Sequence, residues 1–209
     1  MILEKEINRK IAVVFVADVV GFSTSMEVDE NQTLQSFRAC KKILEDLFSE
    51  HGGRIFNSAG DSILAEFSSA VSAVICASEF QKHIQERNSS SSLPENGKME
   101  FRVGLNMGDV IVEGENLYGE GVNVASRLEA LSQPNGVSLS KSIYDFVNKK
   151  TDFLFDDLGE QKIKNTNVHA FDIVTSLEMK RRGSNGCKKI KNRLKKRPLT
   201  LLLLQYFLF

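Results

Sequence analysis

The hydrophobic positions of this chain follow two periods, and the first two elements show one of each. Residues 11–17 (Ile-Ala-Val-Val-Phe-Val-Ala) are continuously apolar and rich in β-branched side chains, which predicts a strand buried on both faces. Residues 31–48 repeat apolar side chains at three- and four-residue intervals, which is the spacing of one helical face. His-Gly-Gly follows at 51–53, and glycines at this point predict the end of the helix.

The rest of the chain alternates between the same two periods. Residues 54–57 and 62–67 flank a Ser-Ala-Gly-Asp turn, which predicts a β-hairpin. Further elements are predicted downstream: a helix over 69–87, a long strand or a bent pair broken at Gly108 over 100–113, a helix over 117–131, a strand over 137–139, a short helix over 140–148, and closing strands over 153–158 and 169–174. This order predicts an α+β fold, with a ferredoxin-like βαββαβ core, an antiparallel sheet with helices on one face, and a C-terminal αββ appendage.

The charge is distributed unevenly along the chain. Lys and Arg together equal Asp and Glu at 27 each, but no acidic residue follows Glu178 and ten basic residues lie between 180 and 197. Residues 1–178 therefore carry a net charge of about −10, which argues against a nucleic-acid-binding domain because phosphate backbones require a basic face. We expect no nucleic-acid partner for this part of the chain.

The composition change near residue 178 predicts a domain over 1–178 and a separate tail over 179–209. The tail is basic and then apolar, and its last 11 residues are about half the length needed to cross a bilayer. We expect it to be disordered, truncated or an artefact of the reading frame, with peripheral contact to anionic lipid as the alternative. Residues 1–10 do not resemble a signal peptide, and the three cysteines lack disulfide or zinc spacing. We therefore expect a cytoplasmic protein.

Two aspartates stand where a structural role is not obvious. Asp18 directly follows the first buried strand, and Asp61 lies at the tip of the predicted hairpin. If the fold brings them together, they would repel each other unless they were protonated or bridged by cations. Mg²⁺ binds few carboxylates together with substrate phosphates, so such a pair suits a nucleotide site. The alternative from spacing alone is that both are turn residues.

Three sequence blocks around these aspartates occur in order: Phe-Val-Ala-Asp-Val-Val-Gly-Phe-Ser at 15–23, Gly-Asp at 60–61, and Tyr-Gly-Glu-Gly-Val-Asn-Val-Ala-Ser-Arg-Leu at 118–128. Together they resemble the class III adenylate and guanylate cyclase catalytic domain over roughly residues 8–175. The resemblance implies an enzyme that converts ATP, or also GTP, to the 3′,5′-cyclic nucleotide and pyrophosphate as a second messenger. It also implies two Mg²⁺ or Mn²⁺ ions and a head-to-tail homodimer with shared active sites.

The resemblance assigns roles to particular residues. It places the metal ligands at Asp18, Asp61 and the backbone carbonyl of Val19, and the catalytic pair at Asn123, which orients the ribose, and Arg127, which neutralises charge on the α-phosphate. The remaining positions would bind substrate: the backbone N–H groups near Gly21, Phe22 and Ser23, the triphosphate contact Lys164 (with Lys162 as the alternative), and the base readers Asn57 and Asn116.

The two base-reading positions depart from the family pattern. Adenylate-specific members carry a lysine at the position of Asn57, and they carry an aspartate, threonine or serine at that of Asn116; guanylate-specific members carry a glutamate and a cysteine. Here both positions are neutral amides, so the resemblance supports catalysis better than it identifies the purine. We expect loose selection that favours ATP.

Three other functions compete with the cyclase prediction. A catalytically weak homologue would bind nucleotide as a sensor or serve as a dimerisation module, although it would have no reason to keep Asp18, Asp61, Asn123 and Arg127. A ferredoxin-like RNA-binding module would need a basic face, which residues 1–178 lack. A diguanylate cyclase would need a Gly-Gly-Asp-Glu-Phe-like turn, whereas Ala-Gly-Asp-Ser stands at 59–62.

Overall fold

A computed structural model of the protein describes residues 7–163 and 166–174. Its elements, in chain order, are β1 (Arg9–Val19), α1 (Phe22–Val28), α2 (Glu30–His51), β2 (Gly53–Ala59), β3 (Ser62–Phe67), α3 (Ala70–Asn88), a single 3₁₀ turn (Glu95–Gly97), β4 (Phe101–Glu113), β5 (Asn116–Tyr118), α4 (Glu120–Leu131), β6 (Val137–Ser140), α5 (Lys141–Val147), β7 (Phe155–Ile163) and β8 (Thr166–Ile173). The predicted tail at 179–209 lies outside the described residues.

One twisted sheet organises the fold. Its strands run in the order β2-β3-β1-β4-β6-β8-β7, and β5 pairs with the far end of β4. The β2-β3-β1-β4 portion is the ferredoxin-like arrangement of a βαββαβ unit, and all of its pairings are antiparallel. Among the described strands, the one parallel pairing joins β4 to β6, because α4 crosses over between them. The predicted α+β fold is confirmed, and α5, β7 and β8 form the expected appendage.

Helices lie on both faces of the sheet: α2 and α3, the two helices of the βαββαβ core, share one face as predicted, and α4 covers the other. Phe15 and its odd-numbered neighbours in β1 pack with residues of α2, α3 and α5, whereas Val14 and Val16 belong to a second cluster that includes Ala125 of α4. A strand that is apolar on both sides must be covered on both sides to bury its surface. The face carrying α4 is called the α4 face below.

Local signals set the ends of the longest helix. The Asp29 side chain precedes α2 and accepts a hydrogen bond from the backbone N–H of Gln32 at 3.0 Å, as an N-cap does. Gly52 ends the helix with a left-handed φ of 75°, and its N–H donates to the Phe48 carbonyl. The helix therefore covers Glu30–His51, slightly more than the predicted 31–48.

β4 is a single strand that continues through Gly108, which is the first of the two predicted alternatives. One boundary differs from the sequence-based expectation: the region around Leu117 is the short strand β5, which precedes α4. Gly119 lies between them with a φ of 108°, which changes the direction of the chain before the helix begins. Among the described helices, none is long and apolar enough to cross a membrane.

Candidate active site

Asp18 and Asp61 come together because β1 pairs with β3. Asp18 is the penultimate residue of β1, and the pairing of Ala17 with Ile63 places it beside the β2–β3 turn, which contains Asp61. The Ser62 hydroxyl donates a hydrogen bond to the Asp18 carboxylate. The two aspartates, predicted as candidates from the sequence, therefore lie close together at one end of these paired strands.

The electrostatics of this pair favour a bound cation. Burial and the charge of nearby Asp18 raise the pKa of Asp61, while backbone N–H groups of Asp61 itself and of Val19 act in the opposite direction. Among the described residues, no group of three or more His, Cys, Asp or Glu side chains forms a closed metal cage. Two half-buried carboxylates in an open arrangement fit Mg²⁺ or Mn²⁺, whose remaining ligands would come from phosphate and water.

Two further charged residues face the same point, and the sequence analysis missed both. Arg102 of β4 is the register partner of Asp18, and its Nε is buried without a hydrogen-bond partner among the described residues. Burial, followed by the charges of Asp18 and Asp61, raises the pKa of Glu129 to about 7, although Arg102 opposes this. A sequence signal did exist for Glu129: it lies four residues after buried Ala125, on the apolar side of α4.

The turn after β1 follows from one glycine. Gly21 adopts a left-handed φ of 69°, and α1 begins at the next residue, Phe22, whose ring packs on Phe37 with centroids 5.5 Å apart. The first backbone N–H groups of a helix have no partner within the helix. The exposed residues Gly21 and Ser23 therefore lie where backbone donors are available, and their contact with substrate remains a prediction.

Asn123 and Arg127 lie on α4 but not at the aspartates of their own chain. Arg127 donates hydrogen bonds to the Thr166 hydroxyl in β8 and to Glu120 at 3.2 Å, and Asn123 is exposed. Glu129 is the residue of α4 that faces Asp18 and Asp61. Positions 127 and 129 are about 200° apart around a helix. Within one chain, Arg127 therefore points away from the predicted metal ligands Asp18 and Asp61.

Asn57 is turned onto the α4 face by a β-bulge at Phe56. The register of β2 against β3 shifts between Ile55 and Asn57, so that Asn57 pairs with Leu64 and shares its face. Asn116 begins β5, and the next residue, Leu117, packs with Phe56 in the cluster on the α4 face. Asn116 itself pairs with Glu113 of β4. The two predicted base readers therefore lie on neighbouring strands, β2 and β5, which contact each other. Lys164 falls outside the described residues.

Comparisons with known proteins identify the family. A family model described as the adenylate and guanylate cyclase catalytic domain matches residues 3–175. The Rhizobium meliloti (strain 1021) protein named "Putative adenylate cyclase 3" is 44% identical over 163 residues, which are 78% of this chain and 27% of that protein. The chain thus spans about a quarter of the length of that relative.

Solved structures show the same fold. The adenylate/guanylate cyclase/hydrolase from Silicibacter pomeroyi is 31% identical, with a TM-score of 0.74 over 81% of this chain and 99% of that one. The adenylyl cyclase CyaB from P. aeruginosa gives a TM-score of 0.69 over 84% of this chain and 99% of that one. Its identity is 24%, so that likeness concerns the fold alone.

Proposed function

Because this chain belongs to the adenylate and guanylate cyclase catalytic domain family, we propose that it converts a purine nucleoside triphosphate, chiefly ATP, to the 3′,5′-cyclic nucleotide and pyrophosphate. The ribose 3′-oxygen loses its proton and bonds to the α-phosphorus, while the bond from that phosphorus to the oxygen leading to the β-phosphate breaks. The adenylate cyclase name of a 44% identical relative supports ATP. The product would serve as an intracellular second messenger.

The observation that carries the proposal is the Asp18–Asp61 pair, whose mutual repulsion a cation would relieve. Asp18, Asp61 and the Val19 carbonyl would hold two Mg²⁺ or Mn²⁺ ions. When bound, these ions would lower the pKa of the 3′-hydroxyl and neutralise charge on the phosphates.

The chain's own cations and N–H groups would position the triphosphate. Arg102 has a buried Nε beside the aspartates with no hydrogen-bond partner in the described part of the chain, and a guanidinium can donate to two phosphate oxygens at once. The backbone donors near Gly21, Phe22 and Ser23 open onto the same end of β1. Lys164 remains a prediction from the resemblance.

A complete site requires a second copy of the chain. Within one chain Arg127 is directed at Thr166 and Glu120, and Glu129 rather than Arg127 faces the aspartates. We therefore propose a head-to-tail homodimer. One chain would contribute Asp18 and Asp61, and its partner would contribute the ribose-orienting Asn123, Arg127 and the base readers.

The activity test uses purified protein with ATP and GTP side by side in Mn²⁺, with detection of both cyclic products. Asp18→Asn keeps the volume and an acceptor for Ser62 but removes the charge, and it should lose at least about 10²-fold in turnover. Asp46→Asn, in an exposed ion pair with Lys42 on α2, is the matched control and should retain activity. Nucleotide binding without turnover in the wild type would instead support the sensor or dimerisation module.

The shared-site test mixes two inactive variants, Asp18→Asn and Arg127→Ala. In a head-to-tail dimer, half of randomly formed dimers are mixed and each has one intact site in two, so about a quarter of wild-type activity should return. If mixed dimers form and no activity returns, the residues act within one chain.

A further inference from the structure

A network of charged side chains crosses the α4 face and links three strands to the β4–β5 turn. Glu66 of β3 lies at its centre: its Oε2 is 2.6 Å from the Lys10 Nζ of β1, and its Oε1 accepts from the Nε of Arg54 in β2 at 2.7 Å. Arg54 Nη2 is also 2.6 Å from Glu66 Oε1. The Glu66 side chain is 14% exposed. Burial raises the pKa of Glu66, but bonds with Lys10 and Arg54 outweigh it and hold that pKa below its usual value.

The remaining nitrogen of Arg54 reaches the β4–β5 turn. Its Nη1 donates to the backbone carbonyl of Glu115 at 3.0 Å and lies 3.3 Å from the Glu115 carboxylate. The Glu115 side chain is 93% exposed, so its ion pair contributes little. The carbonyl contact matters more, because that carbonyl belongs to the peptide bond that joins Glu115 to Asn116.

Arg54 is thereby linked to both predicted base readers. It pairs with Glu66 in the β2–β3 register, and after the bulge at Phe56 Asn57 pairs with Leu64. Residues 54 and 57 therefore lie on the same face of one strand, a few residues apart. Through Nη1 the same guanidinium fixes the residue that precedes Asn116.

We propose that Arg54 is a positioning residue for purine recognition: it holds the Glu115–Asn116 peptide against β2 and so sets the separation between the amides of Asn116 and Asn57. The inference rests on the proposed function, in which these two amides read the base. Neutral amides can donate or accept at either purine and can flip to do so. How well these amides distinguish adenine from guanine therefore depends on how firmly their positions are fixed.

The experiment compares kcat and KM for ATP and for GTP in three single variants. Arg54→Met removes the contact with the Glu115 carbonyl. Lys10→Met is the matched control, because it also removes a cation from Glu66, and within residues 7–163 and 166–174 Lys10 has its ion pair with Glu66 rather than with the β4–β5 turn. Glu115→Ala removes the exposed carboxylate and keeps the backbone carbonyl.

Arg54→Met should change the ATP-to-GTP ratio of kcat/KM by about fivefold, the scale of one neutral hydrogen bond. The change should appear mainly in KM, with kcat for the favoured nucleotide nearly preserved. Lys10→Met and Glu115→Ala should keep the wild-type ratio. Lysine has a single ammonium group and cannot bridge Glu66 and the carbonyl as the guanidinium does. Arg54→Lys should therefore shift the ratio in the same direction, and it replaces Arg54→Met in the test if that variant does not fold.

An active wild type whose ratio is unchanged in both Arg54 variants would overturn this inference and leave the proposed function standing. An equal shift in Lys10→Met would also overturn it, because loss of any Glu66 partner would then suffice. A wild type that neither forms cyclic product nor binds ATP or GTP would overturn the proposed function, and this inference with it.

Discussion

The backbone of α4 packs directly against Gly104 of β4, and replacing this glycine with alanine should displace the helix. A Cβ at this position would lie 2.2 Å from the Glu129 nitrogen and 2.3 Å from the Ala125 carbonyl oxygen. Both are backbone atoms, and ordinary contact begins near 3.4 Å. A rotamer change cannot relieve the clash, so α4 has to retreat by about 1 Å.

The cost follows from what that retreat uncovers. Ala125 and Leu128 are buried residues of α4, and overpacking that shifts backbone costs typically 1–3 kcal/mol. Because two backbone atoms of α4 lie within 2.3 Å of the new methyl group, we expect about 3 kcal/mol. In a domain of this size that lowers Tm by roughly 6–12 °C. Activity should fall as well, because α4 carries Asn123 and Arg127.

Gly108→Ala is the matched control on the same strand. Its Cβ would meet the Asn106 Nδ2 at 3.3 Å and the Gly121 Cα at 3.5 Å, which a side-chain adjustment can accommodate. We expect a change within about 1 kcal/mol. Thermal and urea unfolding of both variants measure the difference. If Gly104→Ala melts within 2 °C of Gly108→Ala, the close approach of α4 to β4 does not limit stability and the reasoning is wrong.

Two further predictions concern titratable groups. The pKa of Glu129 is raised to about 7, so the folded state holds a proton on this carboxyl more strongly than the unfolded chain does. The resulting stabilisation is fully present below the unfolded pKa, about 4.5, and is lost as pH rises through about 7. Glu129→Gln should therefore flatten the fall in Tm between about pH 5 and 8 in EDTA, and parallel profiles would contradict this. Burial raises the pKa of Cys40 to about 11 and that of Cys76 to about 12. Neither should react with a thiol reagent at pH 8 until denaturant is added, and rapid labelling of either in the folded protein would show that it is accessible.

Local patterns in the sequence were sufficient for the elements and for part of the site. The apolar run at 11–17 predicted β1, and the spacing over 31–48 with the glycines at 52 and 53 predicted α2, because both signals arise within a few residues of the chain. Asp18 and Asp61 could be identified as candidate functional residues for the same reason, because each interrupts a local pattern. Spacing alone left a cation site and ordinary turn residues as alternatives, and the resemblance was needed to favour metal ligands.

The relations between distant residues were decided by tertiary structure. Pairing of β1 with β3 placed Asp18 beside Asp61, and packing of α4 against Gly104 brought Glu129 to them. The bulge at Phe56 reversed the face to which Asn57 points, which alternation along β2 could not reveal. Register, helix side and bulge position depend on which surfaces are buried together, and that choice balances contacts over the whole sheet rather than within any one segment.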